Sequence, residues 1–347
     1  MKKIIFVSPV NFESLKQRHQ GIAVELAKNN FQIFFVNPLY SNGFSCKIRE
    51  QNKNLKTIDL KIPFKAVSYP LIQNIATKIA LKLLKKKLHI KTSDCILWLA
   101  EPSCAEFTKE KWQKIIYDCC DLHGNFPNQR TKAWQVYESI IADKSELITV
   151  SHPFIKEHFT KCQQNKSLLL PNATFFKTDK FIHQKDNNSK IKLLSSGAHY
   201  EWVDIDWLEM LTKLDNVELH VAGKGRGKAF NLLLQNKKVV FHGELNSNQL
   251  LLLMKECSIG LIPFKDIELI KGVDPIKAYD YRAAGLQIWA PDIESLHSNK
   301  YINYFIENAE QAKKALENQN NNILNSEKIP TWADRIKQVL PYLQTHE

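Results

Sequence analysis

The chain has 347 residues, 44% of them hydrophobic, and a formal net charge of +12. That is the composition of a folded protein, too long for one average core, so two domains are expected. No uncharged apolar run approaches the roughly 18–20 residues that span a bilayer, which excludes a hydrophobic transmembrane helix. The seven cysteines are odd in number and scattered, with Cys119 and Cys120 adjacent. They fit neither a disulfide framework nor a zinc spacing and read as free thiols of a reducing cytoplasm.

The start, MKKIIFVSPVNFES, has the charged opening of a signal peptide, but its apolar run is about six residues and polar Asn11 and Glu13 follow. It reads as a first buried strand over 4–7. Residues 17–29 (QRHQGIAVELAKN) have helical periodicity, and 31–36 form the next strand. Further strands are expected over 95–100, 115–119, 147–150 and 168–170, with helices over 134–142 and 153–161. Strands separated by helices imply parallel pairing in a doubly wound sheet, whose ligands bind at the carboxyl ends of the strands. Arg18 and His19 fall at the first such end and Glu101 at another. Asp118, Asp121 and His123 lie at or beyond the end of the strand in IIYDCCDLHGNFP. Asp121 suits a general base, with His123 second; Asp121 equally suits a turn or helix cap.

Residues 171–173 (Pro-Asn-Ala) end the first half at a turn, and the polar tract 178–189 reads as a linker. The second half repeats the plan with strands over 191–195, 217–222, 239–241, 259–263 and 286–290. Helices fit 205–214, 229–235, 249–257 and 275–284. Gly197, after the first of these strands, lets backbone approach a phosphate. GKGRG (223–227) is a glycine-rich turn in which Arg226 is a phosphate candidate, although it matches no standard phosphate-loop motif. His199 is a lone histidine and reads as structural.

The most informative stretch is GVDPIKAYDYRAAG, 272–285. Pro275 suits a first helical turn, with Asp274 as its N-cap. Lys277 near a helix N-terminus is a seat for a diphosphate, and Asp280, three residues on, shares its face and can accept from ribose hydroxyls. This stretch resembles the donor-binding helix of GT-B glycosyltransferases of the bacterial surface-polysaccharide group, which often carry N-P-x-K-x-x-E-Y-x-A-A-G. The family glutamate is Asp280 here, and a second glutamate of many relatives is replaced by Gly272. RHQGIAVELA resembles the family's R-x-Q-x-I-A-x-x-L-A, and PNATFFKTDKF its P-N-G-V-D-x-x-x-F domain junction.

The resemblance covers nearly the whole chain. It implies an α/β fold of two Rossmann-like, doubly wound domains facing across a cleft: an acceptor-side domain over 1–172 and a nucleotide-sugar domain over 173–330. A last helix, within 331–347, is expected to pack back on the first domain. It further implies donor binding by Gly197, Arg226, Asp274, Lys277, Asp280 and Tyr281, acceptor binding by Arg18, His19 and Glu101, and catalysis by Asp121 or His123. The activity implied is transfer of a sugar from a nucleotide-diphosphate sugar to a glycan or lipid-linked saccharide, without a cofactor or metal. Asp204-Ile205-Asp206 is a D-x-D string, but it opens a helix and reads as a cap. The alternatives are a sugar-nucleotide epimerase of the same fold and a non-catalytic sugar-nucleotide-binding protein.

Charge is unevenly placed. Residues 1–180 carry 28 Lys+Arg against 15 Asp+Glu, net +13; residues 181–347 carry 20 against 21, net −1. A basic half implies an anionic partner. No nucleic-acid module is present, and the basic residues lack interleaved aromatics, so nucleic acid is not expected. An anionic membrane surface fits better: 75–91 (IATKIALKLLKKKLHIK) reads as a helix with a broad apolar side and a lysine-rich polar side. It equally fits a core-facing helix with solvated lysines. A cytoplasmic protein, peripheral on the inner membrane face, is the resulting expectation.

Overall fold

A computed structural model describes residues 1–126, 131–176, 190–318 and 328–344. The expected linker over 178–189 lies outside the described residues. The chain divides into two compact units, one of residues 1–171 with 332–347 and one of residues 172–331.

The first unit runs β1 (Lys3–Val7), α1 (Arg18–Lys28), β2 (Gln32–Val36), β3 (Ser45–Asn52), β4 (Leu55–Lys61), α2 (Pro70–Leu88) and β5 (Cys95–Leu99). It continues with β6 (Lys114–Cys119), α3 (Thr131–Lys144), β7 (Leu147–Val150), α4 (Pro153–Glu157), α5 (Lys161–Asn165) and β8 (Ser167–Leu169). Its sheet order is β3-β4-β2-β1-β5-β6-β7-β8. All pairs are parallel except β3 with β4. Central strands such as CILWL are buried on both faces, as a helix-covered parallel sheet requires. Phe6 stacks between Phe35 and Trp98, at 5.3 and 5.7 Å between centroids, and locks the three central strands. Two sequence expectations need correction. The β3–β4 hairpin was not anticipated, because β3 is polar and mostly exposed, as suits an edge strand. The helix expected over 153–161 is two short helices, the second opened by the Thr160 cap.

The second unit runs β9 (Ile191–Ser196), α6 (Ile205–Thr212), β10 (Val217–Ala222), α7 (Lys228–Leu233), β11 (Val239–Gly243) and α8 (Ser247–Glu256). It continues with β12 (Ile259–Leu261), α9 (Ile276–Ala283), β13 (Gln287–Ala290), β14 (Tyr304–Phe305) and α10 (Ala309–Glu317). Its sheet, in the order β11-β10-β9-β12-β13-β14, is parallel throughout. The order reverses between β9 and β12, and ligands of such sheets bind at this switch point, beyond the carboxyl ends of the strands. Asp204 caps α6, accepting from the Trp207 N–H at 2.9 Å, as the sequence suggested.

The chain then returns to the first unit with α11 (Trp332–Gln344), which lies on α1. A side chain at Gly21 would fall 2.5 Å from the Trp332 ring, so only glycine admits this approach. Lys2 Nζ donates to the Leu343 carbonyl at 3.0 Å.

Candidate donor and acceptor sites

In the second unit, the loops after β9 and β10 are pinned together. Gly197 and Gly223 both have positive φ, and a Cβ on Gly223 would lie 2.0 Å from the Gly197 carbonyl oxygen. The His199 N–H donates to the Lys224 carbonyl at 2.7 Å, and the Arg226 N–H to the His199 carbonyl at 3.2 Å. The start of α9 arrives at this glycine floor. Lys277 Nζ lies 3.9 Å from where a Gly197 Cβ would be and 5.2 Å from the Phe264 ring centroid. No hydrogen-bond acceptor or carboxylate among the described residues pairs with this ammonium. Burial without an anion pulls its pKa down to about 8.

Asp280, one turn on, is 8% exposed. Its Oδ1 accepts from the Thr174 hydroxyl at 2.7 Å and the Phe175 N–H at 3.2 Å. Its Oδ2 takes no hydrogen bond from the described residues, yet is not sealed from solvent. Burial pushes its carboxyl up to about 7, against those two donors. Beneath the glycine floor, His199 Nε2 meets Ser195 Oγ at 2.8 Å, and its Nδ1 is buried without a hydrogen-bond partner among the described residues. Burial first, then the Lys277 charge, lowers its pKa to about 4, so the ring is neutral at pH 7.

Three donor-side residues are placed differently from the sequence reading. Asp274 does not cap α9; Pro275 occupies the N-cap position. The Asp274 carboxylate accepts instead from the Asn172 N–H at 2.5 Å and the Tyr279 hydroxyl at 3.0 Å, which ties the 171–174 turn to the loop before α9. Tyr281 points to the sheet: its ring fills the space over Gly260 and its hydroxyl accepts from the Ser196 N–H at 2.9 Å. Its part is to set the height of α9 above β9 and β12. Arg226 is exposed, paired with Glu201 at 2.9 Å and lying 4.6 Å over the Tyr200 ring. Such a surface pair is weak and can exchange for a phosphate.

In the first unit, Arg18 and His19, which the resemblance assigns to the acceptor, are both buried. Arg18 is 2% exposed and Asp118 0%. The guanidinium donates to the Asp118 carboxylate at 2.7–3.1 Å and to the Leu170 carbonyl at 2.7 Å, and the Thr149 hydroxyl adds a 2.7 Å bond to Asp118. Burial opposes the Asp118 charge, but Arg18 outweighs it and holds this carboxyl below its usual range. His19 is buried, and burial takes its pKa to about 4, so it carries no charge at pH 7; its Nδ1 has no hydrogen-bond partner among the described residues.

Asp121 and His123 follow β6 together. Asp121 is half-buried, and burial raises its pKa although His123 opposes this. Among the described residues its carboxylate accepts only from the Cys120 thiol, at 3.6 Å, while its backbone carbonyl accepts from the Cys119 thiol at 3.7 Å. His123 stacks on Trp134 at 5.3 Å, with Nδ1 3.6 Å from Glu138 Oε1. Burial disfavours its cation, but Glu138, then Asp121 and Glu101, reverse this and raise its pKa. Glu101, also buried, caps the 102–109 turn through the Ser103 N–H at 3.0 Å. Glu138 went unnoticed in the sequence, and Asn172 and Thr174 were read only as parts of a turn and a domain junction, because each acts on a partner 15 or more residues away, where no local spacing betrays it.

No protein-family model and no curated protein matches the chain. Solved structures do. Sucrose-phosphate synthase from Thermosynechococcus elongatus superposes with a TM-score of 0.65 at 11% identity, covering 86% of this chain and 83% of that one. The E. coli trehalose-6-phosphate structure bound with UDP-2-fluoro glucose gives 0.61 at 11% identity, covering 98% and 96%. The lipopolysaccharide outer core galactosyltransferase WaaB, in its apo form, gives 0.52 at 12% identity, covering 84% and 80%. The chain has the GT-B fold. At this identity the GT-B likeness fixes the fold and leaves the substrates to the residues.

Proposed function

We propose that this GT-B chain is a glycosyltransferase that moves a sugar from a nucleotide-diphosphate sugar to a glycan or lipid-linked saccharide in the synthesis of surface polysaccharide. The observation that carries the reading is the unpaired Lys277 ammonium at the start of α9, over the Gly197 turn, with the open Asp280 oxygen one turn further. A helix N-terminus with a neighbouring cation favours a diphosphate, and a buried carboxylate acceptor favours ribose hydroxyls. The UDP-sugar bound by the trehalose-6-phosphate neighbour supports this class of donor. Arg226 adds a second cation by leaving Glu201. Seven free cysteines support a cytoplasmic site of action.

In this reading the acceptor hydroxyl loses its proton to Asp121 as its oxygen attacks the anomeric carbon. The bond from that carbon to the diphosphate oxygen breaks on the opposite face, and Lys277 takes up the charge that develops on the leaving diphosphate. The result is inversion. His123, held by Glu138 and Trp134, and Glu101 orient the acceptor. The proposed reaction needs no divalent cation.

The test is incubation with UDP- and GDP-sugars and with soluble and lipid-linked glycans, with and without chelator, followed by mass spectrometry. The expected products are a nucleoside diphosphate and an acceptor heavier by one glycosyl unit, chelator having no effect. Isomerised nucleotide sugar formed without acceptor would make the chain an epimerase. Unchanged donors throughout would remove the catalytic reading.

A further inference from the structure

Strand β6 runs out through Tyr117, Asp118, Cys119, Cys120 and Asp121. The two-residue period of a strand turns Asp118 and Cys120 to one face and Tyr117 and Cys119 to the other. On the first face Asp118 meets Arg18 of α1, and the Cys120 Sγ lies 3.7 Å from His19 Nε2 of the same helix. Cys120 is 9% exposed, and its carbonyl is pinned by the Ser151 hydroxyl, which donates to it at 2.8 Å. From this fixed point the same sulfur reaches Asp121 Oδ2 at 3.6 Å. A buried thiol thus stands between a buried imidazole and the carboxylate proposed as base, and no step of the proposed transfer uses it.

The direction of the two hydrogen bonds follows from either end. An ionised carboxylate only accepts, so the Asp121 contact is bonding when the thiol donates its proton there. The sulfur then has no proton left for His19 and accepts from it. At the other end His19, neutral at pH 7 because burial takes its pKa to about 4, carries one ring proton. Its Nδ1 is buried with no hydrogen-bond partner among the described residues, and a buried N–H without an acceptor is disfavoured. The proton therefore sits on Nε2 and faces the sulfur. The His19 ring is set edge-on to Phe6, 6.4 Å between centroids. Burial, then the carboxylates of Asp121 and Asp118, pushes the Cys120 thiol up, so the donor keeps its proton at pH 7.

We infer that Cys120 is a positioning residue for the transfer: its thiol, aligned by His19, holds Asp121 through Oδ2 and leaves Oδ1 to take the acceptor proton. The inference rests on the reading of Asp121 as base. Oδ1 takes no hydrogen bond from the described residues and is not sealed from solvent. A thiol suits this task because it is a weak donor. A stronger donor in its place would stabilise the carboxylate further and make it a poorer base. The charged and titratable groups around the carboxylate are Arg18 and His19 on α1, Asp118 on β6, Cys120 and His123, with Glu138 of α3 and Glu101 acting on His123. Among the described residues only Cys120 reaches the carboxylate with a hydrogen bond. No proton passes through the sulfur, which stays a thiol throughout.

The test is infrared spectroscopy of the S–H stretch, joined to the pH profile of turnover. Subtracting the spectrum of Cys120→Ala from that of the wild type isolates the Cys120 band. That band is expected at a lowered wavenumber, as for a thiol donating to a carboxylate. It should rise when acid protonates Asp121, and in Asp121→Asn it should lie higher at every pH. Should the alanine variant not fold, the other two spectra decide alone: one S–H band must titrate in the wild type and not in Asp121→Asn. In turnover, Cys120→Ala removes a donor that favours the carboxylate, so the acid limb of kcat/KM should move to higher pH. Its kcat should fall about tenfold through lost alignment, with the donor KM unchanged. A Cys120 band that ignores both acid and Asp121→Asn, or an acid limb that stays in place in Cys120→Ala, overturns the inference and leaves Asp121 as base. Normal turnover in Asp121→Asn removes the base itself, and the inference with it.

Discussion

At the carboxyl ends of the first sheet the strongest charges cancel inside the protein. Arg18 and Asp118, both buried, answer each other and are completed by Thr149 and the Leu170 carbonyl. At the carboxyl ends of the second sheet, Lys277 and Asp280 are held on one helix, and among the described residues neither one is paired to an opposite charge. One arrangement joins α1, β6, β7 and the 170–171 segment into a rigid frame. The other keeps two groups poised in states that burial disfavours, so that a ligand carrying the missing charge is the natural complement. Like residue types at equivalent strand ends thus serve opposite purposes, and what separates them is the presence of a partner.

The largest effect expected from breaking this contrast is on folding. Asp118→Asn leaves the Arg18 charge buried without compensation and should cost about 3–5 kcal/mol in urea unfolding. A loss within error would mean that the pair is not the frame. Next is chemistry. Asp121→Asn preserves shape but removes the base, and turnover should fall by about a hundredfold or more with donor affinity unchanged. Normal turnover, or a product that keeps the donor's anomeric configuration, would contradict the role of Asp121.

The third effect is on pH dependence. Without ligand, Lys277 loses its proton above about 8, and Asp280 gains one below about 7. A diphosphate needs the ammonium and a ribose hydroxyl is better held by the carboxylate. Nucleotide affinity should therefore peak between these values. It should fall on the alkaline side by up to about tenfold per pH unit, the limit for one coupled proton. Lys277→Arg, which stays charged, should flatten the alkaline limb alone. A flat wild-type profile from pH 6 to pH 9 would mean that neither group meets the ligand.

How far the sequence could be read follows the same division. The buried central strands announce themselves as apolar runs such as KIIFV and CILWL, and the 272–285 stretch shows a lysine and a carboxylate at helical spacing. Both signals are local. The edge hairpin β3–β4 is polar and carries no such signal. The fate of Arg18 depends on Asp118, 100 positions away, and that of Asp274 on Asn172, 102 away. An arginine at a strand end was therefore read as an acceptor contact although Asp118 answers its charge, and an aspartate before a proline looked like a helix cap when it was a staple. The split of α2 into a buried small-residue face and an exposed aliphatic start likewise depends on what packs against it.

The central claim, that the second unit keeps its charge for a nucleotide diphosphate, is tested most directly by calorimetric titration. UDP, GDP and ADP would be titrated into the wild-type chain and into Lys277→Ala and Asp280→Ala at pH 7.5, a value within the window of roughly 7 to 8 set by the two groups. The account predicts saturable binding of at least one nucleotide to the wild type, weakened about tenfold or more by each substitution in a chain that remains folded. Affinity unchanged in both variants would contradict it.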